Sequence, residues 1–599
     1  MMLMAVGLPA AGPFVSALTT ISKFMSISSS IAVVGSLLAM GFLLEDDHGR
    51  LSPASLRIRV VVLWSGVIWV ISAIANILLT LANILGEPIT SVFDVNTIRS
   101  FILQITLGQY LFFQVIVGVV VIVFSTRLQR VGGANLLLIA TIIAVIAPVF
   151  QSHSASNGSH ALAIGSLCIH VVALALWVGG VFALALLEPE DRATATPRFS
   201  QLALWAAIAV VASGAVNAWT RLNFASAWHT SYALVLIIKV VLTIILITIG
   251  YQHRRNLAGA NITPINWSKF SKLILVELSI MIVALALGSW LTSNQPPIPD
   301  PSQFNAAVTL VGIPMPAVPN LGRLLFSFNP DALFIGLSIL ASALYIRGIL
   351  ILKHRGDKWP VGRTIAFAAG IVALNYATSG GLGVYAYFAF SYHMISHMIL
   401  ATIVPIGIVL SAPITLALRT LPQGRTGNER GVRGTLVAAL HSRVAGFIIN
   451  PIVALLLFDG TLFILYFTSL YGGMMQSHTG HFFMDAHFII SGFLFFHVII
   501  GVDPNPKKVP QLARIVVLFA AMAIHAFFSV ALMSSTTLLD GGYFAQLHRP
   551  WHTDLLADQR LGGAIGWAMA DIPILLALVA TFILWIREDT RETQRIDRN

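Results

Sequence analysis

The stretch "SYHMISHMIL" (391–400) sets His393 and His397 one helical turn apart, each followed by a methionine, Met394 and Met398. Residues four apart share a helix face, so the two imidazoles would stand one above the other. A second run, "MMQSHTGHFFMDAH" (474–487), gathers Met474, Met475, His478, His481, Met484, Asp485 and His487. Imidazole with thioether is a soft donor set that favours copper, Cu(I) above all. Zinc is compatible through histidine alone, whereas Mg²⁺ and Ca²⁺ would find few oxygen ligands. Asp459, His497, His525 and Asp571 also lie in apolar surroundings. A lone buried histidine more often bonds a neighbouring helix than holds a metal, and methionine is a common gap-filler. The pair therefore outweighs the single residues.

Composition dictates which elements hold these groups. The 599 residues are 57% hydrophobic and 10% charged, and mean hydropathy is +0.86. Soluble domains average about 25% charged residues. An all-α, polytopic integral membrane protein follows, with the lipid bilayer as its solvent. At about 20 apolar residues per span, the chain is expected to hold about fifteen transmembrane helices, eight then seven, one of them centred near residue 457. Of the 35 Lys and Arg residues, 27 fall in alternate inter-span segments and six in the others, with Lys239 and Arg347 inside spans. Basic residues favour the cytoplasmic side, so the N-terminus is expected outside and the C-terminus in the cytoplasm, in a prokaryotic plasma membrane. The net charge of +11 is read the same way, and no nucleic-acid partner is expected. One cysteine, Cys168, excludes an intrachain disulfide and any CxxC motif. No basic region precedes the first apolar run, so a cleavable signal peptide is not expected. The proline-rich segment 294–330 reads as an extended outer linker between membrane domains 1–293 and 331–599.

Within the spans, His393, His397 and His525 fall near mid-bilayer and His487 nearer the outside. In the first half, "NGSHALAIGSLCIHVVALALWVGGVFALALL" (157–187) carries His160 and His170, His153 precedes it, and Lys239 lies well inside its own span. Ionisable groups in lipid mark functional sites by default. Three classes are open: copper handling; a b-type electron carrier with haem on His393, His487 or His525; and an ion- or proton-coupled transporter using Lys239, Asp459 and Asp571. The chain contains no HExxH, GxSxG or P-loop pattern, so no enzyme is expected and an ATP-driven pump is excluded.

"SYHMISHMIL", "HFIISGFLFFHVIIGVDPNP" (487–506), "MAIHAFFSVALMSS" (522–535) and "HTDLLADQRLGGAIGW" (552–567), taken in order, resemble the CtaG (caa3-type) family of cytochrome c oxidase assembly factors. The resemblance implies copper delivery for the oxidase, with oxidase subunits or copper chaperones as partners and His393, His397, His487 and His525 in the matching motifs. A second proline expected beside Pro405 is missing, and His497 stands where an aromatic is expected. From "IHVVALALWVGG" through the lysine-bearing "TSYALVLIIKVV", residues 150–295 resemble the CopD copper-resistance family, except that Ala233 replaces a glycine. That resemblance implies copper passage across or within the membrane, with His170, Lys239, His153 and His160 as candidates. Copper would move by ligand exchange, from His478, His481 and Met484 outside to the intramembrane sites.

Overall fold

The computed structural model describes residues 12–151, 160–258, 267–294, 296–297, 306–505 and 509–596. The protein is an all-α polytopic membrane protein. Among the described residues, fourteen helices are long and apolar enough to cross a membrane. Beside them stands a two-residue hairpin, Asp46–Asp47 with Arg50–Leu51. One compact unit holds the described chain up to Pro297, except His160 and Ala161, together with Gln423–Val432; the other holds the remainder.

In the first unit the spans are α1 (Pro13–Leu38), α2 (Pro53–Leu85), α3 (Thr106–Ser125), α4 (Val131–Ile146), α5 (His160–Leu186, apart from its first two residues), α6 (Pro189–Arg221), α7 (Ser231–Ala258) and α8 (Trp267–Ser293). Helix α2 starts where Ser52 accepts the Ser55 N–H and Pro53 fills the first turn, and it stops at Gly86, at φ 70°. Helices α1 and α5 cross at Gly35 and Gly179, where a Cβ on Gly35 would lie 1.9 Å from the Gly179 carbonyl oxygen. Small residues permit this approach, which gains dispersion contacts that lipid cannot supply. Large apolar side chains such as Trp64, Ile71 and Leu136 stay exposed on the helices, as a hydrocarbon solvent allows.

The second unit holds α9 (Ala332–His354), α10 (Val361–Thr378), α11 (Phe390–Met398), α12 (Pro451–Tyr466), α13 (His478–Ile500), α14 (Gln511–Ser534) and α15 (Leu555–Ile596). Helix α11 runs through a π turn, Ile399–Ile403, into Val404–Leu410. The span expected near residue 457 falls on α12, which is too short to be among the fourteen and is widened by a π turn at Leu456–Gly460. Segment 294–330 is not uniformly extended. Ala306–Val311 and Leu321–Phe326 are short helices, and Ala307 and Val311 join the apolar core of this unit.

Candidate metal centre

Helix α11 lacks a side-chain cap of its own; a buried carboxylate from α15 replaces it. Asp558 accepts the N–H groups of Phe390 (3.0 Å) and Ser391 (3.3 Å) and the Ser391 hydroxyl (2.5 Å). Arg549 donates to Asp558 (2.8 Å) and to the carbonyls of Phe388 (2.7 Å) and His552. A buried charge-assisted network of this kind fixes where the helix begins, and so where position 393 points.

His393 and His397 are both 0% exposed, and their rings lie 3.8 Å apart between centroids. The third member is His481, on the first turn of α13. Ser477 caps that turn by accepting the Gly480 N–H at 3.0 Å. Gly480 is required there, because a Cβ would lie 2.4 Å from the Met474 carbonyl oxygen. His481 stands 5.3 Å from His393 and 6.0 Å from His397, centroid to centroid. One nitrogen from each of the three can be chosen so that all lie within 4.8 Å of one another. Tyr387 stacks on His481 at 4.4 Å and Phe488 packs on His397 at 4.3 Å.

One nitrogen of this group is tied down: His397 Nδ1 meets the Tyr466 hydroxyl at 3.0 Å. His393 Nδ1 and Nε2, His397 Nε2, and His481 Nδ1 and Nε2 are buried and make no hydrogen bond of good geometry, the Ala386 backbone being the polar group beside the His393 ring apart from the other imidazoles. Asp485 Oδ1 lies 3.3 Å from His397 Nε2, and Oδ2 lies 3.3 Å from His481 Nδ1. Both contacts are longer than a strong charge-assisted hydrogen bond, so Asp485 contributes charge more than bonding. Burial first, then neighbouring acidic groups, pushes the phenols of Tyr387 and Tyr471 well up. Both stay neutral, and Asp485 is the carboxyl group that lies against two of the triad's rings. Three converging imidazoles with orphaned nitrogens and one carboxylate suit a soft or borderline cation.

The remaining candidates lie elsewhere. His487 and His525, expected with the 393/397 pair, turn to separate partners: His487 Nε2 meets Thr461 Oγ1 at 2.8 Å, and His525 Nδ1 meets Asp459 Oδ1 at 3.1 Å. Six residues separate His481 from His487, which puts them on different faces of α13. Met394, Met398 and Met484 belong to the apolar core, Met394 beside Gly566; being next to His393, it points about 100° away around the helix. His478 Nε2 lies 4.0 Å from Asp331 and interacts electrostatically with His160. His497 stacks on Phe493, and Asp571 accepts from Trp567 at 2.7 Å. In the first unit, His170 Nδ1 meets the Val210 carbonyl (3.1 Å) and Ser213 (3.2 Å), and Lys239 Nζ lies beside Gly288. His153 lies outside the described residues.

Sequence reasoning passed over Tyr466, Asp558, Arg549 and the role of Asp485. The signal for Asp485 was its position four residues after His481.

Three family models match the chain. Residues 14–163 match "Copper resistance protein D-like, N-terminal domain", residues 193–291 match "Copper resistance protein D", and residues 343–588 match "Cytochrome c oxidase caa3 assembly factor (Caa3_CtaG)". Models of copper resistance protein D and of the oxidase assembly factor thus match different stretches of this one chain. The triad and its Asp558–Arg549 clamp all fall in the CtaG-type region, and His170 falls between the two CopD-type matches. Uncharacterized proteins of Mycobacterium bovis and Mycobacterium tuberculosis are each 38% identical over 296 residues, 49% of this chain and 45% of theirs. One of Mycobacterium leprae is 38% identical over 297 residues, 50% of this chain and 45% of its own. The matched region spans less than half the length of these curated relatives. No solved structure matches the chain.

Proposed function

We propose that the protein handles copper in the cytoplasmic membrane, and that its CtaG-type half holds Cu(I) as cargo on His393, His397 and His481 for supply to cytochrome c oxidase. The observation that carries this reading is the set of orphaned, buried nitrogens converging on one point. An unpartnered polar atom in a dry bundle is costly, and a metal ion satisfies several at once. Two of the three matching models are described as copper resistance proteins, which favours copper over zinc. His397 would bind through Nε2, because Tyr466 holds Nδ1; such a partner fixes the tautomer and orients the ring. Three neutral imidazoles bind Cu(I) without enclosing it, which suits release to a copper chaperone or an oxidase subunit.

With the N-terminus outside, the Ser477 turn and His478 face the outer surface, and cargo approaches from that side. The CopD-type half would pass or gather copper; His170 there is tied into hydrogen bonds and is a weaker candidate than the triad. The haem alternative requires histidines opposed across a flat slot. His393 is wedged against His397, while His487 and His525 turn to their own partners.

Anaerobic titration with Cu(I) tests the proposal. Wild type and His487→Ala are expected to bind the same number of copper ions, His481→Ala one fewer, and excess Zn²⁺ should not displace the metal. Equal binding by His481→Ala and wild type would overturn the triad.

A further inference from the structure

Asp459 and His525 form a second buried ionisable pair that metal binding by the triad leaves unused. They are 0% and 1% exposed. Asp459 Oδ2, His525 Nε2 and the hydroxyl of Ser529, one turn further along α14, are buried without a hydrogen-bond partner. Asp459 occupies the π turn of α12, a widened helical geometry that recurs at functional sites because it re-aims one side chain. A carboxyl–imidazole pair can keep a single proton on either partner at the same net charge. Losing that proton leaves one negative charge.

One short segment ties this pair to the triad. Helix α12 bears Asp459, Thr461 and Tyr466, which contact His525, His487 and His397 respectively. When His397 Nε2 holds a cation, Nδ1 must carry hydrogen and donate to the Tyr466 hydroxyl, so metal occupancy sets the contact at the outer end of α12. An added positive charge in the same low-dielectric bundle also disfavours a second one nearby. The ionisable groups that face the pair come from the helices packed on α12. Asp571 on α15 interacts electrostatically with both Asp459 and His525, and on α13 His487 is occupied by Thr461.

We infer that Asp459 and His525 are a proton-exchange site inside the bundle, which releases a proton when Cu(I) occupies the triad. The balance is one cation in and one proton out, leaving the net charge of the bundle unchanged. The proton leaves the Asp459–His525 pair, which is left as carboxylate and neutral imidazole, and is released to the bulk water. The inference rests on the copper reading of the triad.

The test is proton release measured with a pH-indicator dye, in weak buffer without oxygen, as Cu(I) is added to the full chain in detergent. Wild type should release about one proton more per bound copper than Asp459→Asn or His525→Gln, at equal copper stoichiometry. Equal proton counts at equal stoichiometry overturn this inference alone. A wild type that binds no copper overturns the copper reading, and this inference with it. Should neither variant fold, infrared difference spectra of wild type give the answer: Cu(I) should alter the carboxyl and imidazole bands, and an unchanged spectrum overturns the proposal.

Discussion

Asp485→Asn isolates the charge beside the triad without altering its shape. A cation about 2 Å from His397 Nε2, which lies 3.3 Å from Asp485 Oδ1, stands at most about 5.3 Å from that carboxylate oxygen. At about 4.5 Å and an effective dielectric near 20, the attraction is about 3.7 kcal/mol. Asparagine keeps an oxygen dipole at the same place and recovers part of that. The expected loss is about 10–100-fold in Cu(I) affinity, the usual effect of removing a partner behind the ligands, or about 1.4–2.7 kcal/mol. Competition against a chromophoric Cu(I) chelator at neutral pH measures it, with the thermal midpoint in detergent as a check that the fold survives. An affinity within about threefold of wild type, below the tenfold floor of such effects, would refute the reasoning. The carboxylate would then serve helix packing and not the cation.

Breaking the Arg549–Asp558 pair by Arg549→Ala leaves a buried carboxylate unpaired and should lower stability by about 3–5 kcal/mol, read as the thermal midpoint or yield of monodisperse protein; Cu(I) affinity should fall with it, because α11 loses its anchor. Gly35→Ala and Gly179→Ala force α1 and α5 apart and should lower the midpoint, whereas Gly250→Ala, which meets nothing within 4 Å, should leave it unchanged. Burial pushes the Asp331 carboxyl, just outside its span, up to about 7 against the hydrogen bonds it accepts. The folded state therefore holds more protons than the unfolded one between the ordinary carboxyl range and about 7, and this contribution to stability is full at low pH and lost as pH rises through about 7. Asp331→Asn should flatten that part of the midpoint-against-pH curve.

The stacking of His393 on His397 was legible because spacing alone puts the two positions on one face, and because lipid makes stacked imidazoles expensive. The third member was not, since the side of α13 facing α11 depends on long-range packing. His487 matched a family motif, yet a rotation of six residues sends it to Thr461. The end of α11 is held by groups more than 150 residues away, a distance no local pattern encodes. Apolar composition alone made α12 look like an ordinary span. Pro451 sets its start, and Asp459–Gly460 marks the π turn. The linker was misread by weighing its prolines over "NAAVTLV", an apolar run long enough for a short helix against the core. Lys/Arg alternation and hydropathy made the all-α, multi-span class readable, because the bilayer enforces one secondary structure on every apolar stretch.

X-ray absorption at the copper edge, on anaerobically loaded protein, probes the metal's neighbours directly. The account predicts a nitrogen shell with the multiple-scattering pattern of three imidazoles, lost together with the bound copper in His393→Ala/His397→Ala/His481→Ala. A shell dominated by sulfur, or undiminished copper in that triple variant, would contradict it.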